Sequence, residues 1–170
     1  MNAIVVDEDS PQHQLIWQQV PDPDPGPEEV LVDICATAVN RADLLQRQGN
    51  YPPPPGAHPY LGLEMAGRVA EIGADVGDVQ PGDRVCALLA GGGYAQRVAV
   101  HHKLLTPIAE GLSFNQAAAI PEAFYTAFVN LFLEAGLSPG ETVLIHAGAS
   151  GVGMAAIQLA REEGCRVLAT

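Results

Sequence analysis

Basic residues are scarce in this sequence, and that shortage limits what the chain can bind. Its 170 residues include 8 Lys and Arg against 20 Asp and Glu, which gives a net charge of −12. A surface this acidic repels the phosphate backbone of nucleic acids and the headgroups of anionic membranes. We therefore expect no nucleic-acid partner.

Long hydrophobic runs are also missing. No stretch approaches the roughly 20 consecutive apolar residues that a membrane-spanning helix needs. Residues 1–12 are acidic rather than basic and contain no apolar segment of a secretory signal. We therefore expect a cytoplasmic protein with no membrane partner.

Cysteine is rare, with single residues at Cys35, Cys86 and Cys165. None belongs to a Cys-x-x-Cys pair or to a cluster with histidine. An odd, sparse count of this kind argues against a disulfide framework and against structural zinc, and it predicts reduced, buried thiols.

Glycine, in contrast, is concentrated where an apolar run ends. Thr142 to Ala147 has the composition of a buried strand, and Val152 to Glu163 has helical apolar spacing. The segment between them, Gly-Ala-Ser-Gly-Val-Gly at 148–153, matches the dinucleotide pattern Gly-x-Gly-x-x-Gly except that Ser150 replaces the middle glycine. Amides at the start of such a helix bind phosphate, because they lack intrahelical acceptors and the helix dipole favours negative charge.

We predict that five residues of this turn hold a pyrophosphate: Gly148, Ser150, Gly151, Val152 and Gly153. The alternative is a tight strand–helix turn that binds nothing. Gly164 is expected to cap the helix, and Arg166 to Ala169 to form a second strand. An enzyme that uses NAD commonly has a carboxylate near the end of this strand, where it binds the ribose 2′-hydroxyl. Residues 168–170 contain no carboxylate, which favours NADP over NAD.

The part of the chain before this turn alternates short apolar runs with turn residues. Proline-rich stretches at 21–27 and 51–56 predict rigid loops, because proline fixes φ and lacks an N–H donor. Strands are expected at 3–6, 14–20, 29–39, 64–72, 84–89 and 94–100, with a short helix at 41–48. Short strands at regular spacing are typical of a small barrel or sandwich.

The hydrophobic period changes near Leu112. Ser113 and Gln116 have the spacing of a capping box, which predicts a helix at 114–120. Pro121 is expected to interrupt it before a longer helix at 122–135. We therefore predict an α/β protein with an all-β part, divided into residues 1–121 and residues 122–170, the second being a helical bridge and the first β-α-β of a nucleotide-binding sheet.

Several motifs, taken in their order along the chain, resemble those of a known enzyme family. They are Asn-Arg-Ala-Asp at 40–43, Gln-Arg-Gln-Gly-Asn-Tyr at 46–51, Pro-Pro-Pro-Gly at 53–56, Leu-Gly-Leu-Glu at 61–64, Pro-Gly-Asp at 81–83, Ala-Ala-Ala-Ile-Pro-Glu-Ala at 117–123, Thr-Ala-Phe at 126–128 and the glycine turn. The chain resembles the zinc-free quinone oxidoreductases, the zeta-crystallin-like branch of the medium-chain dehydrogenase/reductase superfamily.

The resemblance implies a GroES-like β-barrel catalytic domain followed by a Rossmann domain, with NADPH as hydride donor, a small-molecule quinone as substrate and a homodimer. Zinc-dependent relatives carry a Cys near the position of Asn40 to Asp43 and a His before the Glu of a Gly-His-Glu motif. Here the first segment has no Cys, and Leu63 precedes Glu64. Because catalytic zinc needs three protein ligands, we predict no metal.

The resemblance also assigns three residues outside the glycine turn. Tyr51 is predicted on the substrate side, where its ring stacks on a quinone and its hydroxyl binds or protonates the reduced oxygen. Asn40 is predicted to contact cofactor or substrate, and Thr126 the nicotinamide carboxamide. The alternatives are that Tyr51 packs on the prolines, that Asn40 closes a turn and that Thr126 bonds back to a helix carbonyl.

Other polar residues have structural interpretations. Glu64 is expected to pair with Arg41 or Arg68, and His146 to be a satisfied core histidine. The run His101-His102-Lys103 is interpreted as a solvated loop, since adjacent histidines on a strand point to opposite faces and make a poor metal pair.

Two functional alternatives remain open at this stage. One is reduction of an enone or enoyl thioester by the same superfamily machinery. The other is a fragment with little activity of its own, because the Rossmann sheet implied by the resemblance would stop after its second strand at Thr170. We therefore expect the chain to be the N-terminal half of such an enzyme.

Overall fold

A β-hairpin opens the chain. In the computed structural model, which describes residues 1–170, β1 (Asn2–Asp7) pairs antiparallel with β2 (Gln14–Gln19), so that Ile4 lies opposite Trp17. An isolated bridge joins Ala3 to Ala95. Every residue of β2 is exposed, whereas Ala3 in β1 is buried.

Five further strands form the main sheet. They are β3 (Glu29–Ala36), β4 (Glu64–Ile72), β5 (Arg84–Leu88), β6 (Arg97–His101) and β7 (Thr106–Pro107). All neighbours are antiparallel, in the order β6-β3-β4-β5-β7. One face buries a cluster that includes Val30, Val32, Met65, Val85 and Val98. The period-2 apolar pattern of these strands therefore builds the core.

Gly67 in the middle of β4 allows β3 to approach closely. A Cβ at this position would lie 2.2 Å from the carbonyl oxygen of Asp33. The register between β3 and β4 also shifts between Ile34 and Ala36. The absence of a side chain at Gly67 is thus what lets these strands pair here.

Two short helices accompany the main sheet, α1 (Arg41–Arg47) and α2 (Phe114–Ala117). The predicted capping box is present, because Ser113 Oγ accepts from the Gln116 amide at 3.3 Å and Gln116 Oε1 accepts from the Ser113 amide at 2.9 Å. A short 3₁₀ turn, His102–Leu104, follows β6.

The next segment is helical from residue 121 to residue 134, but with an unexpected hydrogen-bond pattern. Pro121–Tyr125 and Val129–Glu134 are π-helical, and α3 (Thr126–Phe128) lies between them. Pro121 occupies the first turn, where its missing N–H costs nothing. It begins this helix rather than interrupting one.

A parallel β-α-β unit ends the chain. It consists of β8 (Thr142–Ile145), α4 (Gly151–Glu162) and β9 (Arg166–Ala169), with Leu144 paired with Leu168. Its core includes Ile145, Ala155 and Ala156. Gly164 has φ +75°, which suits the predicted cap after α4.

The chain divides into two compact units, Met1–Ala119 and Ile120–Thr170. The first is mostly antiparallel sheet and the second contains the β-α-β unit, so the predicted α/β class with an all-β part is confirmed. None of the helices combines the length and apolar character needed to cross a bilayer. The three cysteines form no disulfide, but Cys35 is exposed rather than buried as predicted.

Candidate functional site

Asn40 lies between β3 and α1, where two carboxylates hold it. Its backbone N–H donates to Asp43 Oδ2 at 2.8 Å, and its side-chain Nδ2 donates to Glu64 Oε1 at 2.7 Å. The second bond fixes the orientation of the amide, because the reverse orientation would place two acceptors together. Asn40 Oδ1 therefore faces away from Glu64 and towards the backbone N–H of Asp43, in the arrangement of a capping box.

The two carboxylates are buried, with Asp43 and Glu64 each only 2% exposed. Buried charges need hydrogen-bond donors, and Tyr94 supplies one to Asp43 Oδ2 at 2.8 Å. Burial first, and then the neighbouring Asp43 and Glu64, raise the pKa of the Tyr94 phenol well above its usual value. Tyr94 therefore remains a neutral donor, while Asp43 Oδ1 has no hydrogen-bond partner.

The absence of a side chain at Gly62 lets Tyr94 lie next to Asp43 and Glu64. A Cβ at Gly62 would lie 2.5 Å from the Tyr94 nitrogen, and the backbone has φ +105°. The Gly93 amide donates to Gly62 O at 3.0 Å, and the Tyr94 amide donates to Leu61 O at 2.9 Å. The Leu-Gly-Leu-Glu motif thus places Glu64 and Tyr94 around one polar cluster, which we define as Asn40, Asp43, Glu64 and Tyr94.

Only part of this polar cluster was predicted from the sequence. The predicted partner of Glu64 was an arginine, whereas the structure shows Asn40, and Arg68 donates to Gly82 O at 3.1 Å. Asp43 was missed, although its place three residues after Asn40 is a capping-box spacing. Tyr94 carried no sequence signal, because 51 residues separate it from Asp43.

Tyr51 lies four residues beyond the end of α1, at the start of the proline-rich loop. Tyr51 is 47% exposed, so part of this residue is open to solvent. Its role on the substrate side stays a prediction.

In the second unit, packing accounts for two glycines of the glycine turn. The Gly148 amide donates to Thr170 O at 2.9 Å, and the Gly153 amide donates to Ser150 Oγ at 3.0 Å. A Cβ at Gly153 would lie 2.3 Å from Ala147 O. Ala147 itself has φ +54°, uncommon for a non-glycine residue. A Cβ at Gly148 would lie 2.9 Å from the Cβ of Ala169, so Gly148 and Gly153 both have structural reasons to be glycine.

Gly151 and Val152 differ from these, since both are exposed at the first turn of α4. Their amides precede the first intrahelical bonds and have no acceptor within the protein. A Cβ at Gly151 would have no atom within 4 Å. The two amides are thus free to donate to an anion, at the helix end where the dipole favours negative charge.

Thr126 begins α3 and is half-buried. Its carbonyl accepts from Asn130 Nδ2 at 2.8 Å, and the predicted contact of its hydroxyl with nicotinamide stays a prediction. His146 follows β8 and is exposed, with its Nδ1 3.1 Å from Thr170 Oγ1. The prediction of a core histidine was wrong, because β8 ends at Ile145.

Comparison with known proteins agrees with this architecture. Erythronolide synthase EryA2 of Saccharopolyspora erythraea is 46% identical over 142 residues, or 84% of this chain and 4% of that protein. The CurK enoyl reductase has 31% identity and a TM-score of 0.90, over 99% of this chain and 53% of that one. The quinone oxidoreductase of Coxiella burnetii has 34% identity and a TM-score of 0.88, over 99% and 56%.

The chain thus spans about half the length of these solved structures and a small part of erythronolide synthase EryA2. Other relatives of similar identity are polyketide synthases, among them GfsB of Streptomyces halstedii, 43% identical over 84% of this chain and 2% of that protein. An enoyl reductase and a quinone oxidoreductase are among the solved neighbours of this chain, in agreement with the resemblance to the medium-chain dehydrogenase/reductase superfamily noted in the sequence. Residues 26–110, half of the chain, match the alcohol dehydrogenase GroES-like domain. The chain therefore belongs to the alcohol dehydrogenase GroES-like domain family.

Proposed function

We propose that the protein functions in NADPH-dependent reduction of an activated carbon–carbon double bond, with an enoyl thioester as substrate. The two unbonded amides at the start of α4 carry the cofactor part of this proposal. The substrate class is supported by similarity to polyketide synthases and to an enoyl reductase.

The glycine turn fits a pyrophosphate. Gly151 and Val152 would donate their amides to it, and the open space at the Gly151 Cα would let phosphate oxygens approach closely. The Ser150 hydroxyl accepts from the Gly153 amide and so fixes the shape of the turn. NADPH, when bound, supplies a hydride; the protein contributes binding and orientation.

Two residues of the first unit are the proposed reaction-side groups. Tyr51 is 47% exposed, and a phenol can stabilise the negative charge that develops on a thioester oxygen and donate a proton. Glu64 fixes the orientation of the Asn40 amide. Asn40 Oδ1 faces the Asp43 backbone N–H in a capping box, and its second lone pair suits a ligand N–H.

We infer that this chemistry needs no metal. Leu63 is an apolar, buried side chain at the position where zinc-dependent relatives carry a histidine, and Glu64 Oε1 already accepts from Asn40. EDTA dialysis should leave NADPH oxidation unchanged. Loss of activity that is restored by zinc would contradict this inference.

A quinone is the second candidate substrate, supported by the similarity to the Coxiella burnetii quinone oxidoreductase. A quinone accepts hydride and becomes an aromatic hydroquinone, so it needs no further activation.

The resemblance also supports a homodimer, which light scattering tests.

Steady-state NADPH oxidation by the full-length protein separates the two substrates. We expect kcat/KM to be higher with a trans-2-enoyl N-acetylcysteamine thioester than with 1,4-benzoquinone. The reverse order would favour the quinone. No oxidation with either would reject the proposal.

The role of the glycine turn can be isolated with Gly151→Ala. The added methyl meets no protein atom, but it would intrude on a bound phosphate. We expect NADPH affinity to fall about tenfold, as loss of one charge-assisted hydrogen bond implies. Gly77→Ala is the matched control, because its Cβ would also meet open space, and its NADPH affinity should match wild type.

A further inference from the structure

One cluster of ligand-type side chains plays no part in the proposed function. Glu28, His101 and His102 each place a donor atom within 4.8 Å of the others. His101 Nε2 lies 3.9 Å from Glu28 Oε2. All three belong to the first unit, at one end of the main sheet.

The two histidines lie side by side because the strand ends between them. His101 is the last residue of β6, and His102 begins the 3₁₀ turn. The side-chain alternation of a strand therefore stops here. The rings stack with centroids 5.0 Å apart and an interplanar angle of 16°. The prediction that they point to opposite faces was wrong for this reason.

Main-chain pairing holds the cluster in place. Glu29 pairs with His101 in the register of β3 and β6. The His102 amide donates to the carbonyl oxygen of Glu28 at 3.0 Å. The backbone of both segments is thus fixed before any ligand binds.

A second carboxylate orients one of the rings. Asp78 Oδ1 lies 2.6 Å from His102 Nδ1, and the His102 side chain is only 12% exposed. Nδ1 therefore carries the proton and Nε2 the lone pair, which is how metal-binding histidines are commonly held.

His101 would have to lose one hydrogen bond in order to bind a metal ion through Nε2. Its Nδ1 accepts from the Lys103 amide at 3.2 Å, which places the ring proton of the neutral form on Nε2. A cation at Nε2 would move that proton to Nδ1 and break the Lys103 bond. Because Lys103 is exposed, water can replace this acceptor.

We propose that Glu28, His101 and His102 form a binding site for a divalent transition-metal ion such as Zn²⁺, with Asp78 orienting His102. Two imidazoles and one carboxylate match the donors that Zn²⁺ prefers, unlike the all-oxygen sets of Mg²⁺ and Ca²⁺. Zinc bonds of about 2.0–2.2 Å require the donor atoms to move closer together. Glu28 and His101 have partly exposed side chains that allow this.

Isothermal titration of the tag-free, full-length protein with ZnCl₂ tests the site. We expect saturable one-to-one binding in the micromolar range, and none with MgCl₂. Glu28→Gln and His102→Gln should each weaken Zn²⁺ binding at least tenfold, and Asp78→Asn about tenfold, as loss of an orienting partner commonly does.

His13→Asn is the control, since Asn tolerates the left-handed backbone at that residue (φ 46°). It should bind Zn²⁺ like wild type. Circular dichroism of each variant checks folding, and a rise in Tm with Zn²⁺ gives a second readout that Glu28→Gln should abolish. No saturable binding, binding unchanged in all three site variants, or equal loss in His13→Asn would each overturn the proposal.

Discussion

Gly151 and Gly153 lie two positions apart at the start of α4, yet their surroundings differ. A Cβ at Gly153 would lie 2.3 Å from a backbone oxygen, whereas one at Gly151 would meet open space. Gly153→Ala should therefore lower the free energy of unfolding by about 1–3 kcal/mol, the usual cost of overpacking. Gly151→Ala should leave it unchanged or raise it by up to about 1 kcal/mol, because alanine favours a helix. Urea unfolding followed by circular dichroism measures both, and equal stabilities would contradict this division of roles.

The Tyr94 phenol makes stability depend on pH at the alkaline end. Its pKa is raised in the folded protein, first by burial and then by Asp43 and Glu64, whereas the unfolded chain has a value of about 10. Above about pH 10 the folded state therefore holds a proton that the unfolded state has lost, so stability falls as pH rises. Tyr94→Phe should be less stable at neutral pH and should show a shallower alkaline decline.

Absorbance titration of the phenolates provides an independent measurement. The chain has four tyrosines, and the phenolate that Tyr94 forms only at a pH well above the usual value should be missing in Tyr94→Phe. Tyr60→Phe is the control and should retain it. An equal number of phenols ionising at high pH in Tyr94→Phe and in wild type would show that the Tyr94 hydroxyl is not protected as described.

Site residues that belong to a short sequence motif could be predicted. Contacts between residues that are far apart in the sequence could not. Asn40 was identified from its motif, but its bond to Glu64 spans 24 positions. Asp43 and Tyr94 meet only because Gly62 and Gly93 let two loops approach closely. The hydrogen bond from Tyr94 to the buried Asp43 carboxylate depends on that approach, which no local pattern reveals.

Met65 in β4 packs in the core, whereas Leu88 in the neighbouring strand β5 is partly exposed. Met65 is fully buried, whereas Leu88, next to its cross-strand partner Ala87, is 37% exposed. Met65→Ala should cost about 2–5 kcal/mol of unfolding free energy, by lost transfer energy plus the cavity left behind. Leu88→Ala should cost clearly less, since half-exposed carbon gains less from burial. Urea denaturation compares the two, and similar losses would place the core elsewhere.

Elements with a clear hydrophobic period were predicted well. β4 begins and ends at Glu64 and Ile72, as expected from its sequence. β6 begins at Arg97 instead of residue 94, because the Tyr94 amide bonds to Leu61 O outside the strand ladder. The π-helical turns after Pro121 were missed, since residue periodicity near 3.6 does not distinguish i+4 from i+5 hydrogen bonds.

For the whole molecule, net charge sets the response to salt. The chain has twenty acidic and eight basic residues, and the ion pairs of Arg97 with Asp22 and Asp33 are exposed. Exposed pairs contribute about 0–1 kcal/mol each, whereas a net charge of −12 makes the compact state repel itself. Screening this repulsion should stabilise the fold more than screening the ion pairs weakens it.

We therefore expect the urea midpoint to rise between about 0.01 M and 0.1 M NaCl, as the Debye length falls from about 30 Å to about 10 Å. Urea is uncharged, so the ionic strength stays under control during the titration. The double variant Glu8→Gln and Asp9→Asn removes two charges from the exposed turn after β1 without touching an ion pair, and should show a smaller rise. A midpoint that falls with salt would mean that the Arg97 pairs outweigh the net repulsion, and Arg97→Gln should then abolish the fall.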